Sequence, residues 1–304
     1  MTTDQGARGA LYAVGAYTLW GVAPLYFKQL TQIPAYEILT HRVIWSFLLL
    51  LLLLSVLQLW PRVRAALRQP KNLLLLSLSS CIIGLNWLVY IWAVNTNHIL
   101  DASLGYYINP LFNIVLAMLF LGERFRPIQW CAVALATSGV LVQLVVFGRL
   151  PWIALVLAIS FGLYGLIRKQ VPVDPITGLL LETLVLLPLA ALYLFFIADS
   201  PTSHLSANSL NTNLWLISAG IVTTAPLLFF AGAAKRLKLS TLGFFQYIGP
   251  SLMFLVAVWL YDEPFSQDKI ITFALIWCSL VIYSWDGIKQ RKKLALRPTS
   301  SALR

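Results

Sequence analysis

Charged residues are scarce in this sequence: aspartate, glutamate, lysine and arginine together make up 11% of its 304 residues. Hydrophobic residues make up 59%, and the mean hydropathy is +0.80. In a typical soluble domain about a quarter of the residues are charged. The shortage of charge therefore excludes an ordinary water-soluble protein and indicates an integral membrane protein.

Residues that carry enzyme chemistry are also few. The chain has 11 acidic residues and 3 histidines, and neither His98 nor His204 has a second ligand at metal-binding spacing. The sequence contains no Ser/His/Asp or Cys/His arrangement, no Gly-rich phosphate loop and no ATP-binding motif. We therefore expect no catalytic residue, no metal, no cofactor and no direct use of ATP.

Cysteine is equally rare. The 3 cysteines, Cys81, Cys131 and Cys278, each stand alone in an apolar run. Their spacing fits neither a metal site nor a redox pair. We interpret them as small packing residues.

Long apolar runs are what the sequence does contain. Each of ten runs approaches the roughly 20 residues that a helix needs to cross a bilayer. They fall near 10–28, 36–59, 72–94, 102–121, 127–147, 150–167, 175–198, 214–234, 241–261 and 270–287. The first run is followed by no small-residue cleavage site, so we expect it to stay in the mature protein. The predicted fold class is an all-α integral membrane protein with ten transmembrane helices.

The basic residues predict how these helices are oriented, because lysine and arginine concentrate in cytoplasmic connections. With a cytoplasmic N-terminus, all of the 22 lysines and arginines lie on the inner side except Lys28, Arg42, Arg149 and Lys269. We therefore expect both termini to be cytoplasmic. The positive charge of the chain is a topology signal, so the expected partner is the lipid bilayer and not nucleic acid.

Two stretches repeat one pattern. Ser103–Phe125 and Thr241–Phe265 each contain Tyr-Ile-x-Pro, an apolar run and then Glu-x-Phe, and the two prolines lie 140 positions apart, as do the two glutamates. Because this distance is about half of the chain, we predict two repeats of five spans each. An odd number of spans makes the second repeat enter from the opposite side. The predicted units are residues 1–148, the inverted repeat 149–288 and a basic cytoplasmic tail 289–304.

The motifs resemble a known family. The strings EILTHRVIWS, ASLGYYINPL, FLGERFRPIQW and LSTLGFFQYIGP are similar to the EamA branch of the drug/metabolite transporter superfamily, and the likeness covers nearly the whole chain. One departure is Asp262, which stands where glycine usually precedes the second glutamate. The resemblance implies a substrate cavity formed mainly by spans one, three, four, six, eight and nine.

The family resemblance and the repeats together predict a secondary-active transporter of the bacterial inner membrane. We expect a permease that exports small organic molecules by alternating access between the two repeats. Two alternatives stay open. One is an importer or passive facilitator on the same fold, and the other is a membrane-embedded enzyme or a lipid-handling protein.

Prolines within the spans predict where the cavity lies. A helix that continues past a proline loses the amide that would bond the carbonyl four positions earlier, and in lipid that carbonyl must face protein or a wet cavity. We expect helix breaks at Pro110, Pro226 and Pro250, with freed carbonyls at Tyr106 and Gln246. Kinks that serve only helix packing are the alternative.

Polar and aromatic side chains near these prolines are the candidate cavity residues. On the fourth span Tyr106, Asn109 and Asn113 recur at helical spacing and form one polar face. Hydrogen bonding between helices is the alternative role for the asparagines, and core packing is the alternative for the aromatic residues. The complete expected set is Tyr17, Trp20, Asn86, Trp87, Tyr90, Tyr106, Tyr107, Asn109, Asn113, Tyr164, Gln246 and Tyr247.

Ionisable residues within spans are costly and indicate function by default. Those with an expected role in gating or proton coupling are Glu37, His41, Arg42 and Glu182. Arg42 has the alternative of reaching the lipid headgroups, and Glu37 and His41 have that of contacting each other across one helical turn. For Glu182 the alternative is a static ion pair, with Arg168, Lys169 or Arg124.

Single cysteines in a cysteine-free variant test the predicted topology. Arg64→Cys, Lys169→Cys and Lys292→Cys should react with a membrane-impermeant maleimide only from the cytoplasm, because basic residues stay on that side. Ser206→Cys and Ser266→Cys should react only from the outside. Labelling of intact cells and of inverted vesicles measures both accessibilities. Cytoplasmic labelling at Ser266→Cys would contradict the inverted repeat.

Overall fold

The computed structural model describes residues 3–96, 98–148, 150–200, 202–203, 205–261 and 267–295. His204, the turn 262–266 and the end of the tail, 296–304, lie outside these residues. The described residues form helices joined by short connections. The helices are α1 Thr3–Phe27, α2 Ala35–Val56, α3 Trp60–Leu67, α4 Pro70–Asn95, α5 Ile99–Leu121, α6 Pro127–Phe147, α7 Trp152–Gln170, α8 Pro175–Phe196, α9 Leu210–Arg236, α10 Leu239–Gln246, α11 Ile248–Tyr261 and α12 Gln267–Ala295.

The all-helical membrane architecture is confirmed. Within the described residues, 9 helices are long and apolar enough to cross a bilayer, and they match nine of the ten predicted spans. The exception is the predicted span 241–261, which forms α10 and α11, of 8 and 14 residues. Neither is long enough to cross alone. The short helix α3, between the second and third spans, was not predicted.

The outer surface of the bundle is apolar, as lipid contact requires. Phe195 and Phe196 are 75% and 81% exposed, and Val145 is 80% exposed. Side chains of this kind would be poorly solvated in water but are stable against acyl chains. The three cysteines are also exposed, so their interpretation as packing residues is wrong.

Only one of the three predicted helix breaks has a counterpart in the structure. α5 continues through Pro110 and α9 continues through Pro226, so these two predicted breaks are wrong. The chain does change helix at Tyr247, three residues before Pro250. Pro250 is the third residue of α11, where an amide has no partner within the helix and its absence costs nothing.

A difference in spacing explains why one repeated motif is broken and the other is not. Gly105 and Pro110 are five positions apart, whereas Gly243 and Pro250 are seven apart. Two extra residues in a continuous helix would rotate everything after them by about 200°. The change of helix at Tyr247 lies within the stretch that carries these extra residues.

The two motifs pack against each other. A Cβ atom on Gly243 would lie 2.9 Å from the carbonyl oxygen of Pro110, which shows that α10 approaches the α5 backbone closely at the proline. The Tyr247 hydroxyl donates a hydrogen bond of 3.3 Å to the carbonyl of Tyr107. The proline that was expected to break α5 therefore lies at a helix crossing.

Helices of residues 1–148 pack mainly against helices of residues 149–288. α1 contacts α9 and α11, α2 contacts α8 and α9, and α4 contacts α7 and α8. α5 contacts α7 and α10, and α6 contacts α12. The protein core thus lies between the two halves of the chain and not within each of them.

Gly220 lets α2 and α9 approach closely. A Cβ atom at this position would lie 2.7 Å from both the carbonyl carbon and the carbonyl oxygen of Trp45, which are backbone atoms that cannot move aside alone. The hydroxyl of Ser46 also donates to the Gly220 carbonyl at 3.3 Å. The contact depends on the absence of a side chain.

Gly220→Ala should therefore lower the free energy of unfolding by about 1–3 kcal/mol, the usual cost of overpacking. Thermal unfolding of the purified protein in detergent measures the change. Gly287→Ala is the matched control, because a Cβ atom there meets nothing within 4 Å. Equal melting temperatures for the two variants would show that α2 and α9 are not in close contact.

Candidate functional site

A cavity of about 490 Å³ lies between helices from both halves of the chain. Its volume is within the range of pockets that bind small molecules. The walls come from α1, α2, α4, α5, α7, α9, α10 and α11, which adds α2 to the helices implied by the family resemblance. The cavity extends to the connection between α1 and α2, where Lys28 and Thr31 line it and are exposed.

Most of the predicted cavity residues line this space. They are Tyr17, Trp20, Asn86, Trp87, Tyr90, Tyr106, Asn109 and Gln246, together with Arg42 and Pro250 from the other predicted groups. Four lie outside the described lining: Tyr107, Asn113, Tyr164 and Tyr247. The structure also adds residues that the sequence reasoning did not select, notably Phe27, Lys28 and Phe161. Phe27 lies seven positions after Trp20 and so shares its helix face, but Tyr164, the predicted residue nearest to Phe161, lies outside the lining.

A network of side-chain amides crosses the wall of the cavity. Asn109 donates to the Ala158 carbonyl of α7 at 2.8 Å. Asn113 donates to the Oδ1 of Asn109 at 2.9 Å and to the Oε1 of Gln246 at 3.2 Å. The two roles considered for the asparagines, lining the cavity and hydrogen bonding between helices, are therefore not shared equally. Asn113 links helices only, whereas Asn109 and Gln246 link helices and also line the cavity.

Asn86 forms a second link between α4 and α7. Its Nδ2 donates to the Leu157 carbonyl at 3.0 Å and to the Ser160 hydroxyl at 2.8 Å. The side chain is 9% exposed and lines the cavity. The bonded amide holds the side chain in place at the cavity wall.

Arg42 points into the cavity and not toward the lipid headgroups. Its Nε donates to the hydroxyl of Thr223 on α9 at 2.9 Å. Its guanidinium carbon lies 4.9 Å from the centre of the Trp87 ring and 5.7 Å from that of Phe27. The interpretation of Arg42 as a headgroup-seeking side chain is therefore wrong.

Aromatic rings close the cavity at the end opposite Lys28. Tyr17 and Trp20 lie earlier on α1, and Tyr17 is about 16 Å from Lys28 along the helix axis. The ring centre of Phe161 lies 5.6 Å from that of Trp20 and 5.2 Å from that of Phe230. Tyr164 is stacked on Phe230 at 5.8 Å and is fully buried behind it. The lining thus reaches exposed residues at the Lys28 end and buried aromatic residues, together with the amides of Asn86 and Asn109, at the other.

Glu182 belongs to a buried ion pair outside the cavity. Its Oε1 lies 3.6 Å from the Nη1 of Arg168 and accepts a hydrogen bond of 2.5 Å from Ser79. The hydroxyl of Tyr164 donates to its Oε2 at 3.4 Å. The side chains of Arg168 and Glu182 are 1% and 2% exposed. Of the three basic partners considered from the sequence, the structure pairs Glu182 with Arg168.

Glu37 and His41 are buried in the first two turns of α2 and do not belong to the described lining. The hydroxyl of Thr202 donates to the Oε2 of Glu37 at 2.7 Å, and the indole of Trp45 donates to the Nδ1 of His41 at 3.3 Å. Of the four ionisable residues selected from the sequence, Arg42 is therefore the one that faces the cavity.

Comparisons with known proteins agree with this architecture. The profile of the EamA-like transporter family matches residues 7–145. Protein RarD of Salmonella typhimurium is 60% identical over 294 residues, which cover 96% of this chain and 100% of that protein. The chain belongs to the EamA-like transporter family. The resemblance inferred from the sequence motifs is confirmed, and the protein is a multi-pass membrane transporter.

More distant relatives also match this chain over nearly its whole length. A protein named chloramphenicol-sensitive protein RarD, from Pseudomonas aeruginosa, is 31% identical over 95% of this chain and 98% of its own length. A solved crystal structure with 20% sequence identity matches 90% of this chain and 96% of that chain with a TM-score of 0.68. At this identity the match shows a shared fold, and it extends over both halves.

The pair of Arg168 and Glu182 should be cooperative. Removing one partner leaves the other charge buried without compensation, whereas removing both replaces the pair by apolar contacts. Arg168→Met and Glu182→Met should each lower the melting temperature in detergent more than the double variant does. If the two single losses simply add in the double variant, Arg168 and Glu182 do not interact.

Proposed function

We propose that the protein is a secondary-active transporter of small organic molecules in the bacterial inner membrane, working as an exporter by alternating access. The observation that carries the proposal is the cavity of about 490 Å³ between helices of both halves, which reaches exposed residues at Lys28 and Thr31 and ends among buried residues near Tyr17. A pathway that is open at one end at a time is what alternating access requires.

The proposal includes two inverted repeats, residues 1–148 and 149–288, with α10 and α11 together as the tenth crossing. The helix contacts support it, because they occur in pairs that exchange under the repeat. The contact of α1 with α9 has its counterpart in that of α7 with α4, and the contact of α2 with α9 has its counterpart in that of α8 with α4. Two halves related by a twofold axis would produce such pairs.

We further infer that both termini are cytoplasmic, so that the Lys28 end of the cavity faces outward. Contacts between the halves at the other end support a closed inner side. The carboxylate of Glu123 accepts a hydrogen bond of 2.8 Å from the backbone amide of Leu239 at the start of α10. Arg126 forms an ion pair with Asp286 on α12. These contacts would separate when the cavity opens to the cytoplasm.

The driving force in this proposal is a proton gradient, with Glu182 as the candidate proton site. Its carboxyl group contacts Tyr164, which is stacked on Phe230 next to the cavity residue Phe161. A change of charge on Glu182 would therefore act on the aromatic end of the cavity.

The proposed activity is transport without catalysis. The name of the Pseudomonas relative suggests chloramphenicol as one compound to include among the transport candidates.

Flux in inside-out membrane vesicles tests the proposal. Uptake of a labelled compound panel, including chloramphenicol, should depend on expression of the protein and rise when a proton gradient is imposed. Asn109→Leu and Gln246→Leu should each reduce this uptake at least tenfold at unchanged membrane expression, because both remove amides from the cavity wall. Gln290→Leu, at the cytoplasmic end of α12, is the matched control and should transport normally.

Three results would contradict parts of the proposal. Uptake of the whole panel that is identical with and without the protein would exclude export of these compounds. Parallel loss of uptake and of expression in Asn109→Leu and Gln246→Leu would assign both amides to helix packing alone. Uptake that ignores the proton gradient would remove proton coupling and leave a passive facilitator.

A further inference from the structure

Arg42 gives the cavity a permanent positive charge. Its Nε is fixed by Thr223, while its two Nη groups donate to none of the described residues. No carboxylate among the described side chains forms an ion pair with it. A guanidinium stays protonated at any physiological pH, so this charge cannot be removed by titration.

The charged residues of the described lining have the same sign as Arg42. The described lining contains Arg42 and Lys28 and no aspartate or glutamate. The buried carboxylates on α2 itself and on α8 are engaged elsewhere, Glu37 with Thr202 and Glu182 with Arg168. A cation held inside a membrane protein at this cost, without a carboxylate partner, indicates that a mobile anion completes the site.

The surroundings of Arg42 define the rest of the ligand. The guanidinium carbon lies over the rings of Trp87 and Phe27, and this cation–π attraction helps to hold the guanidinium at the cavity wall. Toward the other end, the lining contains the apolar and aromatic side chains of Trp20, Phe161 and Leu227. The amides of Asn86 and Asn109 at this level are already bonded to α7. A ligand that fits both parts has an anionic head near Arg42 and an apolar or aromatic body toward Trp20.

We propose that the substrates of this transporter are small organic anions with one carboxylate and an aromatic or apolar body, and that Arg42 is the residue that binds the carboxylate. The inference rests on the transport function proposed above and specifies its substrate class. A carboxylate suits the site because it pairs with a guanidinium edge through two parallel hydrogen bonds. The single arginine in the described lining matches a single negative charge.

Equilibrium binding to the purified protein in detergent tests this inference with a pair of probes that differ only in charge. The probes are 4-phenylbutyrate and its neutral amide, 4-phenylbutyramide, at pH 7. Quenching of tryptophan fluorescence reports binding, because Trp20 and Trp87 line the cavity, and the shift in melting temperature provides a second readout. The acid should bind at least tenfold more tightly than the amide.

Three variants assign this preference to Arg42. Arg42→Gln should abolish the preference for the acid while the amide binds as it does to the unmodified protein. Arg42→Lys should retain part of the preference, because it keeps the charge but loses the two-point geometry. Arg62→Gln, which removes an exposed arginine from α3, is the matched control and should leave both affinities unchanged. If Arg42→Gln fails to fold, the reduced preference in Arg42→Lys carries the test.

The inference is overturned if the unmodified protein binds acid and amide equally, if it binds no acid, or if the preference for the acid survives in Arg42→Gln or is undiminished in Arg42→Lys. These outcomes are distinct from failure of the transport function, which is measured by flux in vesicles. Neutral compounds transported as well as acids would leave the transporter in place and remove the anion specificity. Absence of any flux would remove the transport function itself.

Discussion

In hydrocarbon every polar group must find its partner within the protein, and this requirement governs how the helices assemble. The Nδ2 groups of Asn109 and Asn113 meet it by donating from α5 to the Ala158 carbonyl on α7 and to Gln246 on α10. Such bonds fix the rotation of each helix, because a helix turned by one residue would present its amide to lipid. The cavity forms beside this seam, where polar side chains already face inward.

The two repeated motifs have become different parts of the site. α5 passes through Pro110 as one helix and supplies a straight wall, whereas the second motif carries two extra residues and divides into α10 and α11. At the division, Gln246, Gly249 and Pro250 line the cavity. Both motifs therefore supply a wall of the cavity, the first through Gly105, Tyr106 and Asn109.

The sequence by itself determined the class of protein, the position of most helices and the family. These follow from local properties, because the length and apolarity of a run decide whether it crosses a bilayer. The repeated motif also located the one interrupted span, and most of the residues chosen near it line the cavity. The sequence marked Arg42 as a costly charged residue within a span, but it did not indicate that Arg42 bonds to Thr223.

Only the tertiary structure decided which side chains meet. Membrane helices are apolar on every face, so periodicity does not reveal the inward face, and the rotation of each helix depends on its neighbours. The structure shows that Glu182 pairs with Arg168 and that Tyr164 is stacked on Phe230 outside the cavity lining. Both contacts depend on how separate helices pack. The direction of Arg42 was decided in the same way, because Thr223 and Trp87, which hold it over the cavity, lie on two other helices.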